Sequence, residues 1–157
     1  MAHLKRHILK GEDQSAAVEC LQACLFDLVD LALQGKQAHW NVVGPNFRSI
    51  HLQLDEIILT ARNSADEIAE RIVTLAKPAD GRTSMVGERS RLPAYPQGLK
   101  DVPETVSLVA DRLEKTIEGL RAGIDSLDDV DLVSQDLLIG ASSALEKHMW
   151  MVQAQEG

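Results

Sequence analysis

The sequence predicts an all-α protein built as a bundle of four long helices. Three observations carry that reading. Apolar residues recur at helical spacing along most of the 157-residue chain. Turn-forming residues are sparse between about residues 14 and 75. Aromatic residues make up only 3%, so the core must be assembled from Leu, Ile, Val and Ala, a composition that favours helices over a sheet. At this length one domain with a sizeable core is expected.

Residues 1–13 read as a flexible tail, leaving 14–157 as the helical domain. The tail holds His3, Lys5, Arg6, His7 and Lys10, followed by Gly11, Glu12 and Asp13. From Ser15 to about Val42 the apolar stripe is Val18, Leu21, Leu25, Leu28 and Ala32, which predicts the first helix. Gly35 lies inside it at a cost of about 1 kcal/mol relative to Ala, which suggests a close neighbour. Gly44-Pro45 breaks the chain, and Asn46 is placed to cap a second helix that runs to about Ala76.

The second helix has a core stripe of Phe47, Ile50, Leu54, Ile57, Ile58, Ala61, Ala65, Ile68 and Ile72. Its expected solvent side is Gln53, Glu56, Thr60, Asn63, Glu67 and Arg71. Residues 77–100 contain Pro78, Pro93, Pro96, Gly81, Gly87 and Gly98, so they form a long crossover with room for one short helix near Ser84–Arg89. Asp101, with Pro103 and Glu104 behind it, reads as a capped start for the third long helix. Its stripe is Val102, Val106, Val109, Leu113, Ile117, Leu120 and Ile124. An acidic turn over residues 125–131 leads to the fourth long helix, with Leu138, Ala141, Leu145, Met149 and Val152 inward. Short first and last connections with one long middle crossover define a ferritin-like four-helix bundle. That architecture does not by itself give a function.

The bulk properties narrow the classes. A net charge of −8 argues against a general nucleic-acid binder and suits a protein that attracts cations. No apolar run approaches the roughly 20 residues of a membrane span. The opening residues carry too short an apolar run for a secretory signal. Cys20 and Cys24 lie four apart on one helix face, poor geometry for a mutual disulfide. A reduced, cytoplasmic protein is expected.

The chemistry concentrates between residues 39 and 70. On a wheel of the second helix, His51, Asp55, Arg62, Asp66 and Glu70 fall within an arc of about 100°, alongside Leu52 and Leu59. A flank mixing leucines with imidazole and carboxylates suits a partner surface that carries a polar site. Imidazole and carboxylate are ligand types for iron, manganese and zinc. His51 and Asp55 are one turn apart, as are Asp66 and Glu70, yet His51 and Asp66 are about 22 Å apart along the axis. One straight helix cannot bring both pairs to one ion. The pairs 51 with 70 and 55 with 66 share the midpoint 60.5, so an antiparallel second copy would set each pair against the other. An isologous dimer does this twice, giving two equivalent sites per dimer.

The run His39-Trp40-Asn41-Val42, Gly44, Phe47, His51, Asp55-Glu56, then Asp66 and Ala69-Glu70-Arg71-Ile72, resembles the Dps family, the mini-ferritins also known as DNA-binding proteins from starved cells. The resemblance covers roughly residues 15–155, and the last helix is also similar to that family's. It implies a hollow homo-dodecamer with tetrahedral symmetry, built from two-fold dimers, and a ferroxidase site between two-fold-related chains. His39, His51 and Asp55 would come from one chain, Asp66 and Glu70 from the other. Ordinary ferritins instead use Glu-x-x-His within one bundle, and no Glu-x-x-His occurs here.

The implied activity is a ferroxidase that oxidises Fe2+ to Fe3+, preferably with hydrogen peroxide and otherwise with dioxygen, and stores ferric mineral in the shell. Trp40 would intercept stray radicals or serve packing alone. Asp128, Asp131 and Asp136 match where the family lines its iron-entry pores. His148 matches no site ligand and reads as structural. The alternative is a DNA-compacting shell whose iron oxidation is secondary; a third reading is a helical protein whose acidic face binds a partner without metal. The DNA transfer is weak, because the tail offers only Lys5, Arg6 and Lys10 as strong bases and twelve chains at −8 carry a formal −96. DNA binding is therefore expected to be weak or absent.

Overall fold

Five helices organise the chain in the computed structural model, which describes residues 4–156. They are α1 Gly11–Asn41, α2 Phe47–Thr74, α3 Thr83–Arg89, α4 Val102–Ser126 and α5 Leu132–Gln153. The helix α1 packs along α2 and α4 along α5; contacts of α1 with α4 and of α2 with α5 close the ring. The core is aliphatic as expected, with Leu21, Leu28, Ile50, Leu54, Ile68, Ile72, Leu113 and Leu138 fully inaccessible. No helix among the described residues is long and apolar enough to cross a membrane.

Gly35 has the expected close neighbour. A Cβ there would stand 2.8 Å from Ile58 Cγ1, so α1 and α2 approach closely along the span that leads to His39. The Asp101 cap also forms: its carboxylate accepts the Glu104 amide at 2.9 Å, with proline in the first turn. The crossover is fastened by two clamps. Buried Asp27 accepts Arg91 Nη2 at 2.7 Å and the Arg91 amide at 2.9 Å. Buried Arg112 donates to the Pro93 and Ala94 carbonyls at 3.3 and 2.9 Å and lies over the Tyr95 ring.

Several expectations need correction. The first helix starts at Gly11, four residues before Ser15, with Glu12 and Asp13 in its first turn where carboxylates favour the helix dipole. The expected tail is thereby shortened among the described residues, and its His3 lies outside them. Asn46 ends the turn in the left-handed region (φ 63°) and makes no side-chain cap. Phe47 is 46% exposed; the core stripe of α2 begins at Ile50, which is fully inaccessible. Thr60 and Arg71 face α5 instead of solvent: Thr60 Oγ1 meets His148 Nε2 at 2.9 Å, and Arg71 Nη2 meets Asp131 Oδ2 at 2.7 Å. A two-residue parallel bridge, Val42–Val43 on Lys100–Asp101, ties the first turn to the end of the crossover. The sequence carries no signal for it.

Candidate metal centre

The long helix α1 delivers His39 in its last turn, and α2 delivers His51 and Asp55 from its second and third turns. The turn between them returns the chain antiparallel, so these three side chains meet. The His39 and His51 rings stack with centroids 3.6 Å apart, and Phe47 closes on His51 edge-on at 6.0 Å. His51 Nδ1 lies 2.9 Å from the His39 carbonyl oxygen. A carbonyl only accepts, so His51 carries its proton on Nδ1, and the Nε2 lone pair is left as a potential ligand.

His39 Nε2 lies 3.0 Å from Asp55 Oδ2, while His39 Nδ1 is buried without a hydrogen-bond partner. The other carboxylate oxygen of Asp55 accepts Lys36 Nζ at 2.5 Å. These contacts, Lys36 foremost and His39 after it, hold the Asp55 carboxyl below the usual carboxylate range. Asp55 is thus an ionised carboxylate already shared between two donors. Lys36 was not anticipated from the sequence. Its signal was available, since it stands three residues before His39 on the same face of α1.

Asp66 and Glu70 lie on the same flank of α2, both exposed, and do not join the first group within one chain. Among the described residues no cluster of three His, Cys, Asp or Glu side chains is arranged to hold a metal. The two half-sites therefore stand at separate places on one helix, as their spacing requires. The surface around them is apolar: Leu33, Trp40, Phe47, Leu52 and Leu59 are all strongly exposed. A groove of about 350 Å³, floored by Leu25, Val29, Ala32 and Ala65, opens beside Asp66. Large apolar side chains left exposed beside polar half-sites suit a contact face.

The remaining expected residues divide. Trp40 is 69% exposed. Asp128 and Asp136 are exposed at the acidic turn and the start of α5, and Asp128 accepts Gln135 Nε2 at 3.1 Å. Asp131 is committed elsewhere, to Arg71 and the Ser134 hydroxyl. His148 is buried in the bundle, where it meets Thr60.

Known proteins are similar to this chain along nearly its whole length. The family model for the ferritin-like domain matches residues 18–156. A DNA protection during starvation protein of Mycolicibacterium smegmatis is 38% identical over 146 residues, covering 93% of this chain and 80% of that protein. Another, from Agrobacterium fabrum, is 32% identical over 97% of this chain and 94% of its own. Among solved structures, Dps from Microbacterium arborescens in the high iron form superimposes with a TM-score of 0.90 at 36% identity, covering 95% and 97% of the two chains. The tetragonal form of Mycobacterium smegmatis Dps gives 0.91 at 36% identity, covering 98% and 93%. The chain belongs to the ferritin-like superfamily and, within it, to the Dps family.

Proposed function

We propose that this protein is a ferroxidase that oxidises Fe2+ at sites shared by two chains and stores the ferric product inside a dodecameric shell. One observation carries the reading. His39, His51 and Asp55 converge within one chain, while Asp66 and Glu70 stand apart on the same flank, in a sequence symmetry that only an antiparallel second copy satisfies. Family membership and the relative described as a high iron form support it.

The donor set suits iron. Carboxylate oxygens are hard ligands for both oxidation states, and imidazole favours Fe2+. His39 Nε2 and Asp55 Oδ2 are 3.0 Å apart. Two ligands on one ion at about 2.1 Å, meeting at a right angle, also stand about 3 Å apart. An incoming Fe2+ would therefore take the place of the shared proton without moving either residue far, and its binding would release that proton. Lys36 balances the Asp55 charge until the ion arrives. Each hydrogen peroxide takes up two electrons, one from each of two ferrous ions, and leaves as water once protonated. The partner's Asp66 and Glu70 add the negative charge that makes ferric product favourable. Trp40, exposed next to His39, is placed to take up a stray oxidising equivalent.

For iron entry, Asp128 at the acidic turn and Asp136 at the start of α5 are exposed carboxylates without a cationic partner among the described residues, and a ring of them would raise the local cation concentration. Asp131 adds little, because Arg71 already balances it. The relatives' names point to DNA protection. We attribute protection here mainly to removal of Fe2+ and peroxide, since the tail offers only Lys5, Arg6 and Lys10 as strong bases and a shell of formal charge −96 makes DNA contact weak and salt-sensitive.

The test is anaerobic loading with Fe2+ followed by peroxide, read as ferric absorbance. Asp66→Asn with Glu70→Gln should slow oxidation by more than about a hundredfold, the upper range for losing even a supporting residue of a metal site. Light scattering should still give about 206 kDa, twelve chains of 17.2 kDa. Oxidation by the variant at the parent rate would remove the site assignment.

A further inference from the structure

A second reactive centre lies at the other end of α1, 19 residues before His39 and so roughly 28 Å from it along the axis. Cys20 and Cys24, one turn apart, both point toward α4 at Gly123. A methyl group built on Gly123 would stand 3.0 Å from Cys20 Sγ and 3.3 Å from Cys24 Sγ, so the two sulfurs converge over a position that only glycine leaves open. Gly119 leaves similar room for the Arg91 guanidinium, which a Cβ there would strike at 2.5 Å. The resulting hollow, about 190 Å³, is lined by Cys20, Cys24, Ala23, Arg91, Ala122 and Ser126. It is large enough for a peroxide molecule.

The two thiols are not equivalent. Cys24 is buried, with its Sγ 3.8 Å from the Gly119 carbonyl oxygen; Cys20 is half-buried and opens on the hollow. Cys20 Sγ lies 3.4 Å from the Ser126 hydroxyl and 3.7 Å from the Gly123 carbonyl oxygen; the hydroxyl also faces that carbonyl, at 2.9 Å, and must turn its proton to the sulfur as Cys20 ionises. Arg91, paired with buried Asp27 at 2.7 Å, lines the same hollow with a guanidinium whose charge is partly offset by that carboxylate. A thiolate flanked by a hydroxyl donor and a guanidinium is the arrangement that sulfur nucleophiles need.

We propose that Cys20 is a peroxide-oxidised thiol, a site of sulfenic acid formation separate from the iron half-sites. The Cys20 thiolate attacks one peroxide oxygen; the S–O bond forms as the O–O bond breaks. Sulfur loses two electrons, peroxide gains them, and the departing hydroxide takes a proton from solvent to leave as water. Ser126 and Arg91 stabilise the thiolate, and Arg91 also stabilises the negative charge leaving on oxygen. The titration behaviour agrees: the Cys24 thiol, the Ser126 hydroxyl and the Arg91 charge outweigh burial and lower the Cys20 pKa to about 6. The Cys24 pKa is pushed up by its hydrogen bond to Cys20 and by burial, which keeps that thiol protonated.

The test uses the iron-free, assembled protein, so that failure of the ferroxidase reading cannot affect it. Peroxide is added at about pH 6 with dimedone present, and labelled peptides are read by mass spectrometry. The folded protein should label at Cys20 about tenfold faster than the same chain in denaturant, the gain in thiolate fraction less the lower nucleophilicity of a weaker base. Cys20→Ser should abolish the adduct, and Ser126→Ala should slow its formation while light scattering still shows the full assembly. Labelling no faster than in the denatured chain, or falling mainly on Cys24, would overturn the proposal.

Discussion

At the amino-terminal end of the α2 flank, His51 and Asp55 are held in place by the His39 carbonyl, the His39 ring and Lys36. At the carboxy-terminal end, Asp66 and Glu70 stand in solvent, and among the described residues no ion pair or side-chain hydrogen bond fixes either one. The first half is organised but nearly neutral, since Lys36 offsets Asp55. The second is charged but unorganised. A neutral half-site gains little from a cation, and a half-site whose side chains have no fixed partner must be ordered before it can bind. Each lacks what the other supplies, so binding strength and geometry should appear together when two chains pair.

The strongest way to break that comparison is to separate the halves onto different chains. One chain carries His39→Ala with His51→Ala, the other Asp66→Asn with Glu70→Gln. Each alone should be inactive. Co-expressed in equal amounts, half of the dimers should be mixed, and each mixed dimer regains one intact site of two, so about a quarter of parental ferroxidase activity should return. Continued inactivity of the mixture, at normal shell size, would sink the shared-site reading.

Lys36 sharpens the same contrast with a smaller effect. Lys36→Gln leaves Asp55 uncompensated, so at neutral pH the assembled protein should bind Fe2+ a few-fold more tightly by anaerobic calorimetry, within the range of exposed ion pairs. The sign with pH follows from the depressed Asp55 pKa. In the parent, the Asp55 contacts are complete above the ordinary carboxylate pKa of about 4 and are lost only as acid reaches the lower folded value. In the variant that loss should begin at higher pH. Weaker iron binding by Lys36→Gln would instead make Lys36 a positioning residue that the site cannot spare.

How much of this was readable beforehand differed by type of information. Stripes such as Leu21, Leu25, Leu28 and Val106, Val109, Leu113 place the helices because period and burial are local properties of the chain. That His51, Asp55, Asp66 and Glu70 share one flank of α2 follows from the same periodicity. Thr60 and Arg71 were misplaced because a wheel of α2 alone does not show on which side α5 will lie; their partners, His148 and Asp131, are 60 or more residues away. Lys36 shares a face of α1 with His39, but its pairing with Asp55 shows only where α2 returns against α1, and the convergence of Cys20 and Cys24 required Gly123 from another helix. Residues that share an element could be read together. Residues that meet across elements had to be seen.

Gly35 is the narrowest test, because it fixes how close the two halves of the hairpin come. Its missing Cβ would lie 2.8 Å from Ile58 Cγ1 and 3.5 Å from Cδ1, and Cγ1 is too near the backbone to swing away cheaply. Gly35→Ala gains about 1 kcal/mol of helix propensity. The overpacking it causes typically costs about 1–3 kcal/mol, so a net loss on the order of 1 kcal/mol is expected, read as a lowered Tm. Gly35 stands one turn before His39, so relief of the clash would move α1 away from Asp55 and stretch the 3.0 Å contact between them. Iron oxidation should therefore fall slightly, with shell assembly intact. A raised Tm would mean that α1 and α2 can separate freely, and the half-site would then owe its geometry to the short turn at Gly44-Pro45 instead of to the packing of the helices.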